Sequence, residues 1–103
     1  MKMMLNMTMP PEPFNKYVRS GKAGEILKKI LSEIKPEAVY FTEQDGQRGA
    51  TLIVDIKNSS EIPSLCEPFF LKFNANCRMR VVMSPDDLAK AGLEKLGKKW
   101  GDN

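Results

Sequence analysis

The chain has 103 residues, 42% of them hydrophobic and 28% charged, which fits one globular domain and excludes a disordered or fibrous chain. Sixteen basic against thirteen acidic residues leave a net charge of +3, which falls short of a nucleic-acid-binding footprint. There is no histidine, so this chain supplies no histidine general base, no histidine metal ligand and no proximal haem ligand.

The N-terminal stretch MKMMLNMTMPP lacks the long apolar core and small-residue cleavage site of a signal peptide. No run approaches a membrane span, so the expectation is a cytoplasmic protein with no membrane partner. Met3, Leu5, Met7 and Met9 alternate with Met4, Asn6 and Thr8, which predicts a strand ended by Pro10, Pro11 and Pro13. Phe14 to Ile34 has helical spacing, with Ala23, Ile26, Leu27, Ile30, Leu31 and Ile34 on one stripe. Gly21 and Gly24 are candidate breaks, and Lys35-Pro36 stops the segment.

Ala38 to Gln44 reads as a strand, Asp45-Gly46 as a hairpin turn, and Arg48 to Ile56 as the return strand. A two-residue loop sets Gln44 opposite Gln47, Glu43 opposite Arg48 and Phe41 opposite Ala50. That register puts Val39, Phe41, Ala50, Leu52 and Val54 on one face and Tyr40, Thr42, Thr51, Ile53 and Asp55 on the other.

Asn58-Ser59-Ser60 offers N-caps for a second helical region, Glu61 to Phe73, with Pro63 in its first turn. Ile62, Leu65, Phe69 and Phe73 form its buried side, and Pro68 is expected to kink or divide it. Asn76 to Ser84 alternates again, Cys77, Met79, Val81 and Met83 against Arg78, Arg80 and Val82. A terminal helix follows in SPDDLAKAGLEKLGKKW, with Ser84 as cap, Pro85 at its first position and Lys95, Lys98 and Lys99 near its end. Trp100 reads as a clamp holding that helix down, or else as a lid over a pocket. Cys66 and Cys77 have no metal spacing and read as reduced, mostly buried thiols.

The order is a split βαβ pattern, βαββαβ, with an extra C-terminal helix. The expected fold class is α+β, ferredoxin-like, one four-stranded antiparallel sheet with two helices on one face. The segments MPPEPFN, KPEAVYFTE, EPFFLKFNA and SPDDLAKAGLEKLG resemble the dimeric α/β-barrel superfamily. That group includes muconolactone isomerase-like proteins, cofactor-independent monooxygenases of polyketide quinols and many small uncharacterised bacterial proteins, and the resemblance is closest to the last. It covers nearly the whole chain, and no catalytic residue carries over. It implies a homodimer whose sheets face each other, with ligands between sheet and helices or near the barrel.

The open sheet face would display Met4, Asn6, Thr8, Tyr40, Thr42, Thr51, Ile53, Asp55, Arg78, Arg80 and Val82. This mixture reads first as a homodimer interface, with Arg78 or Arg80 paired to Asp55 or to a partner carboxylate. A compatible functional reading places a small organic anion near Arg78 and Arg80, because the planar guanidinium fork binds carboxylate bidentately. Asn6, Tyr40, Thr42 and Asp55 complete that candidate ligand set, and neither a metal nor a cofactor is expected.

Two function classes follow: a protein binding a small anionic or aromatic molecule, or a cofactor-independent monooxygenase or isomerase of an aromatic or polyketide-like substrate. Glu43 and Arg48 read as an exposed cross-strand ion pair. Glu67 is a general acid only if it is buried, and a solvated glutamate otherwise. An acylphosphatase reading fails because TMPPEPFN, the loop after the first strand, has no arginine for phosphate. GQRGATLIV opens like an RNA-recognition strand but has Ala50 and Leu52 where stacking aromatics are needed, which argues against nucleic acid.

Overall fold

A computed structural model describes residues 1–101. The elements are β1 (Lys2–Met9), α1 (Pro11–Arg19), α2 (Ala23–Ile34), β2 (Ala38–Gln44), β3 (Gln47–Asp55), α3 (Ile62–Phe73), β4 (Asn76–Val81), α4 (Pro85–Lys90) and α5 (Leu93–Trp100). The four strands form one antiparallel sheet in the order β2-β3-β1-β4.

Turn chemistry fixes the hairpin. Asp45 and Gly46 both have positive φ, 54° and 75°, as a type I′ turn requires. The Glu43 carboxylate accepts from the Gly46 amide at 3.0 Å. The resulting register pairs Gln44 with Gln47, Glu43 with Arg48 and Phe41 with Ala50, as the sequence predicts.

The core lies between the sheet and α1, α2 and α3. Met3, Leu5, Met7 and Met9 of β1 and Ala50, Leu52 and Val54 of β3 are buried there against Phe14, Ile30, Leu65, Cys66, Phe69 and Phe73. Phe73 is fully enclosed, stacked on Phe14 at 4.9 Å and edge-on to Tyr17 at 5.8 Å. These ring pairs tie α1 to α3.

The helix boundaries follow expectation at the Gly21 break and at the Asn58 cap, and depart from it at Pro68. The long segment divides into α1 and α2 at a turn containing Gly21, whose φ of 74° suits glycine. Pro68 does not divide α3, which runs from Ile62 to Phe73. The carbonyl that loses its partner there belongs to Ser64, which is exposed to water. Asn58 and Glu61 form a capping box on the short 3₁₀ turn that leads into α3. Backbone amides of Asn58 and Lys57 donate to the Glu61 carboxylate and hold its pKa below the ordinary value.

The C-terminal region differs most. β4 ends at Val81, and Val81 and Met83, expected on the core side, are exposed because no helix covers them. The single expected helix is two, broken at Gly92, whose φ is 74°. Ser84 and Asp87 cap α4 reciprocally. No residue of α4 or α5 is buried, and Trp100 is 74% exposed, so it clamps nothing within its own chain. The molecule is 64 Å long and 29 Å wide, with a radius of gyration of 17.8 Å. A compact chain of this length would have a radius of about 13 Å. The excess is the α4–α5 arm. No helix among the described residues is long and apolar enough to cross a membrane.

Candidate functional site

Strand alternation that buries the β1 methionines turns Met4, Asn6 and Thr8 to the open face, where all three are half-buried. The pairing registers then align Tyr40, Thr51, Asn6 and Arg78 in one polar row across the sheet. The next row toward the N-terminal end of β1 is Ala38, Ile53, Met4 and Arg80, which is mostly apolar. Toward the other end lie Thr42, Gly49, Thr8 and Asn76.

At that end the hairpin curls over the sheet. A Cβ built on Gly49 would lie 3.2 Å from the Met7 carbonyl and 3.4 Å from Gln44 Cβ. The missing side chain is what lets Gln44 come down over β3. The curl closes a polar cradle of about 100 Å³, lined by Asn6, Thr8, Gln44, Asp45, Asn76 and Arg78 together with Met7.

Beside the cradle Thr51 Oγ1 donates to Asn6 Oδ1 at 2.7 Å. That bond occupies the carbonyl end of the carboxamide and leaves its NH₂ as a free donor. Arg78 makes no ion pair among the described residues, and neither does Arg80. Asp45 is the one carboxylate on the lining.

The sequence-derived candidates are therefore only partly gathered. Asn6 and Arg78 line the cradle. Tyr40 shares their row but stands 70% exposed on the edge strand, and Thr42 borders the curl. Arg80 lies one row away. Asp55 is distant from the cradle, at the far end of the sheet opposite Lys2, and does not pair with either arginine. Its carboxylate accepts from the Met1 amino group at 2.8 Å, which depresses its pKa. Thr8 belongs to the open-face set expected from the sequence, whereas Asn76 joins it through its pairing with Thr8. Gln44 and Asp45 were not expected there, because only the curl at Gly49 brings them in.

A second concavity, about 290 Å³, opens on the other side of the sheet beside α1 and α2. Met9, Phe14, Leu27, Phe41 and Arg48 line it, and it is almost wholly apolar. Phe41 faces the helices as expected but stays 56% exposed, because β2 is an edge strand that they only partly cover. Arg48 is opposite Glu43, yet the expected ion pair is absent. The guanidinium carbon sits 4.4 Å above the Phe14 ring instead, while Glu43 is engaged by Gly46.

The cysteines are free, Cys66 buried and Cys77 half-buried. Burial pushes both thiols up, Cys77 to about 12, so neither is a thiolate nucleophile at neutral pH. Glu67 is exposed, which removes the buried-acid reading. No group of three or more Cys, Asp or Glu among the described residues is arranged to hold a metal.

No protein-family model and no curated protein sequence matches the chain. Its backbone is similar to 5-chloro-2-hydroxyhydroquinone dehydrochlorinase from Burkholderia phenoliruptrix AC1100, solved in complex with 2,5-dihydroxybenzoquinone. The TM-score is 0.59 at 18% identity, over 84% of this chain and 97% of the other. The fold is ferredoxin-like. A de novo designed protein, Ferredog-Diesel, is also similar, with a TM-score of 0.46 at 14% identity over 79% of this chain and 85% of that one.

Proposed function

We propose that this chain is a cytoplasmic member of the dimeric α/β-barrel superfamily that binds a small organic anion on the open face of its sheet, where two copies meet. The observation that carries the reading is the convergence of Arg78, which has no ion-pair partner among the described residues, and the Asn6 carboxamide on one concave polar cradle. A guanidinium fork and an oriented NH₂ are a donor set for carboxylate or enolate oxygens. Asp45 on the opposite wall favours a ligand that also carries a hydroxyl donor.

At about 100 Å³ the cradle is smaller than a usual ligand site of roughly 300–1,000 Å³, so a second surface is needed to enclose the ligand. The half-buried Met4, Ile53 and Val82 beside it suit contact with a second sheet. The ferredoxin-like dehydrochlorinase, held in complex with a small hydroxylated quinone, supports the choice of ligand size and class.

The test is calorimetric titration against small hydroxy acids and hydroxylated quinones. Arg78→Ala should lower affinity by about tenfold or more, as loss of a charge-assisted hydrogen bond does. Arg80→Ala, one row away, should have the smaller effect. Light scattering should show the same dimer for both variants. Unchanged affinity in Arg78→Ala removes the cradle from the reading, and a monomer at micromolar concentration removes the shared interface.

The apolar crevice of Phe14, Phe41, Leu27 and Arg48 favours a second reading, a cofactor-independent monooxygenase or isomerase of an aromatic or polyketide-like substrate. Its walls suit a ring and its arginine an oxyanion. Oxygen uptake with anthrone-like quinols tests the oxygenase form, and absence of turnover removes that form and favours binding.

A further inference from the structure

Three sulfur atoms meet where α3 packs on the edge strand β4. The Cys66 thiol of α3 donates to the Met79 sulfur at 3.5 Å, and the Cys77 thiol interacts with the Cys66 sulfur. Strand alternation gathers them. Cys77 and Met79 are two apart on β4, so both face the helices, and Cys66 comes down on them from α3. Met7 is opposite Cys77 in the β1–β4 register and faces the same side, so a second thioether residue adjoins the group.

The group is enclosed on one side and open on the other. Cys66 is 3% exposed, whereas Cys77 and Met79 are half-buried, because β4 is an edge strand that α3 covers only in part. An ion therefore has an entry path along the sheet edge and a dry wall behind it.

We propose that Cys66, Cys77 and Met79 form a binding site for one soft monovalent metal ion of the Cu(I) class, between α3 and the β4 edge. The donor set selects the ion. Thiolates and thioethers are soft ligands, which favour Cu(I) over hard and borderline cations. Zn(II) takes four ligands from thiolate, imidazole and carboxylate, and this chain has no histidine. Among the described residues no carboxylate joins the two cysteines in a group able to hold such an ion.

The spacing fits a shared ion. Two sulfurs each about 2.3 Å from one tetrahedral ion lie roughly 3.8 Å apart. The Cys66–Met79 pair, at 3.5 Å, needs only a small spread to admit it. On binding, each thiol that coordinates as thiolate releases its proton to water. No electron moves, and the ion stays singly charged. The site is on the helix side of the sheet, opposite the cradle, and depends neither on the ligand reading nor on a dimer.

The test titrates the reduced full chain with Cu(I) in the absence of oxygen, in competition with a chromophoric Cu(I) chelator. The near-ultraviolet sulfur-to-copper charge-transfer band is the second readout. One ion should bind per chain. Cys77→Ser should weaken binding by about a hundredfold or more, and the volume-conserving Met79→Leu by about tenfold. Met4 is on the other face of the sheet and Met83 is beyond β4, so Met4→Leu and Met83→Leu should keep the parental affinity. Circular dichroism checks folding, and Met79→Leu carries the test alone if Cys77→Ser does not fold.

Parental affinity in Cys77→Ser or in Met79→Leu would overturn the three-sulfur site. Loss of binding in Met4→Leu or Met83→Leu would overturn it too, by assigning the ion to surface thioethers. Zn(II) held as tightly as Cu(I) would reject the soft-ion reading, and one ion per two chains would reject a site within one chain. Arg78→Ala, which removes ligand binding, should leave Cu(I) binding untouched.

Discussion

Thr51 Oγ1 donates to Asn6 Oδ1 at 2.7 Å across the two central strands, on the face of the sheet away from the helices. The bond joins residues 45 positions apart in the chain and decides which end of the carboxamide faces the cradle. Thr51→Val keeps the β-branched shape and removes the donor. Loss of this one bond should cost about 1 kcal/mol of stability and free the carboxamide to flip. The variant's urea midpoint should fall slightly and its affinity for the small-anion panel should fall severalfold. An affinity equal to the parent's would show that Asn6 needs no orienting.

Gly49 tests the curl. Valine at this position would force its side chain against the Met7 carbonyl and Gln44 Cβ, at 3.2 and 3.4 Å from the Cβ alone. The hairpin must then lift away or the strand must shift, at about 1–3 kcal/mol as for an overpacked site. Urea unfolding should show that loss, and ligand titration should show the cradle opened. Gly46→Ala, where a Cβ meets nothing but φ is 75°, should destabilise without altering the walls of the cradle directly.

Arg48 and Glu43 separate two explanations of one cross-strand position. If the guanidinium over Phe14 is the working contact, Arg48→Gln should cost about 0.5–1 kcal/mol whatever the salt concentration. Glu43→Gln should change stability mainly through the Gly46 amide, and combining the two substitutions should be additive. A coupling energy between them in a double-mutant cycle would restore the ion pair that the sequence suggested.

Cys77 gives a pH dependence of definite sign. Burial raises its folded pKa from 9.0 to about 12, so the folded chain holds this proton more tightly than the unfolded one. The associated stability is complete below about pH 9 and is lost as pH rises toward 12. Denaturation midpoints measured from pH 8 upward should fall, and Cys77→Ala should flatten part of that fall. Alkylation of the native thiol should also lag behind that of a free thiol at pH 9. Rapid native-state labelling would contradict the shift.

Much of the fold could be read from local pattern because strand periodicity is insensitive to context. A residue-by-residue alternation assigns both faces of β1, and Asp45-Gly46 fixes the register of β2 on β3 through backbone angles alone. Those two facts, with the same alternation in β4, put Asn6 and Arg78 on one face with Tyr40 and Thr42. Asp55 does not reach the arginines within the chain, because alternation tells side from side but not position along the strand. It lies opposite Lys2, where the nearest cation is the chain's own amino group.

The terminal segment marks the limit more sharply. Its capping residues, its apolar positions and its lysines predicted helix, and helix is what forms. Whether that helix docks depends on whether the body offers it a surface, which no local pattern contains. Gly92 was read as part of the helix, and the backbone instead uses its positive φ to break it.

The order of strands and helices in the two-layer body, the hairpin register and the two faces of the central strands follow from the amino-acid sequence, because periodicity and turn angles set them locally. Tertiary structure alone decided that the hairpin bends over the sheet at Gly49, that Arg48 lies on Phe14 rather than against Glu43, and that the arm leaves the body. Each of these depends on how much space and which partner a side chain meets once distant segments are assembled, and neither quantity is written in the neighbouring residues.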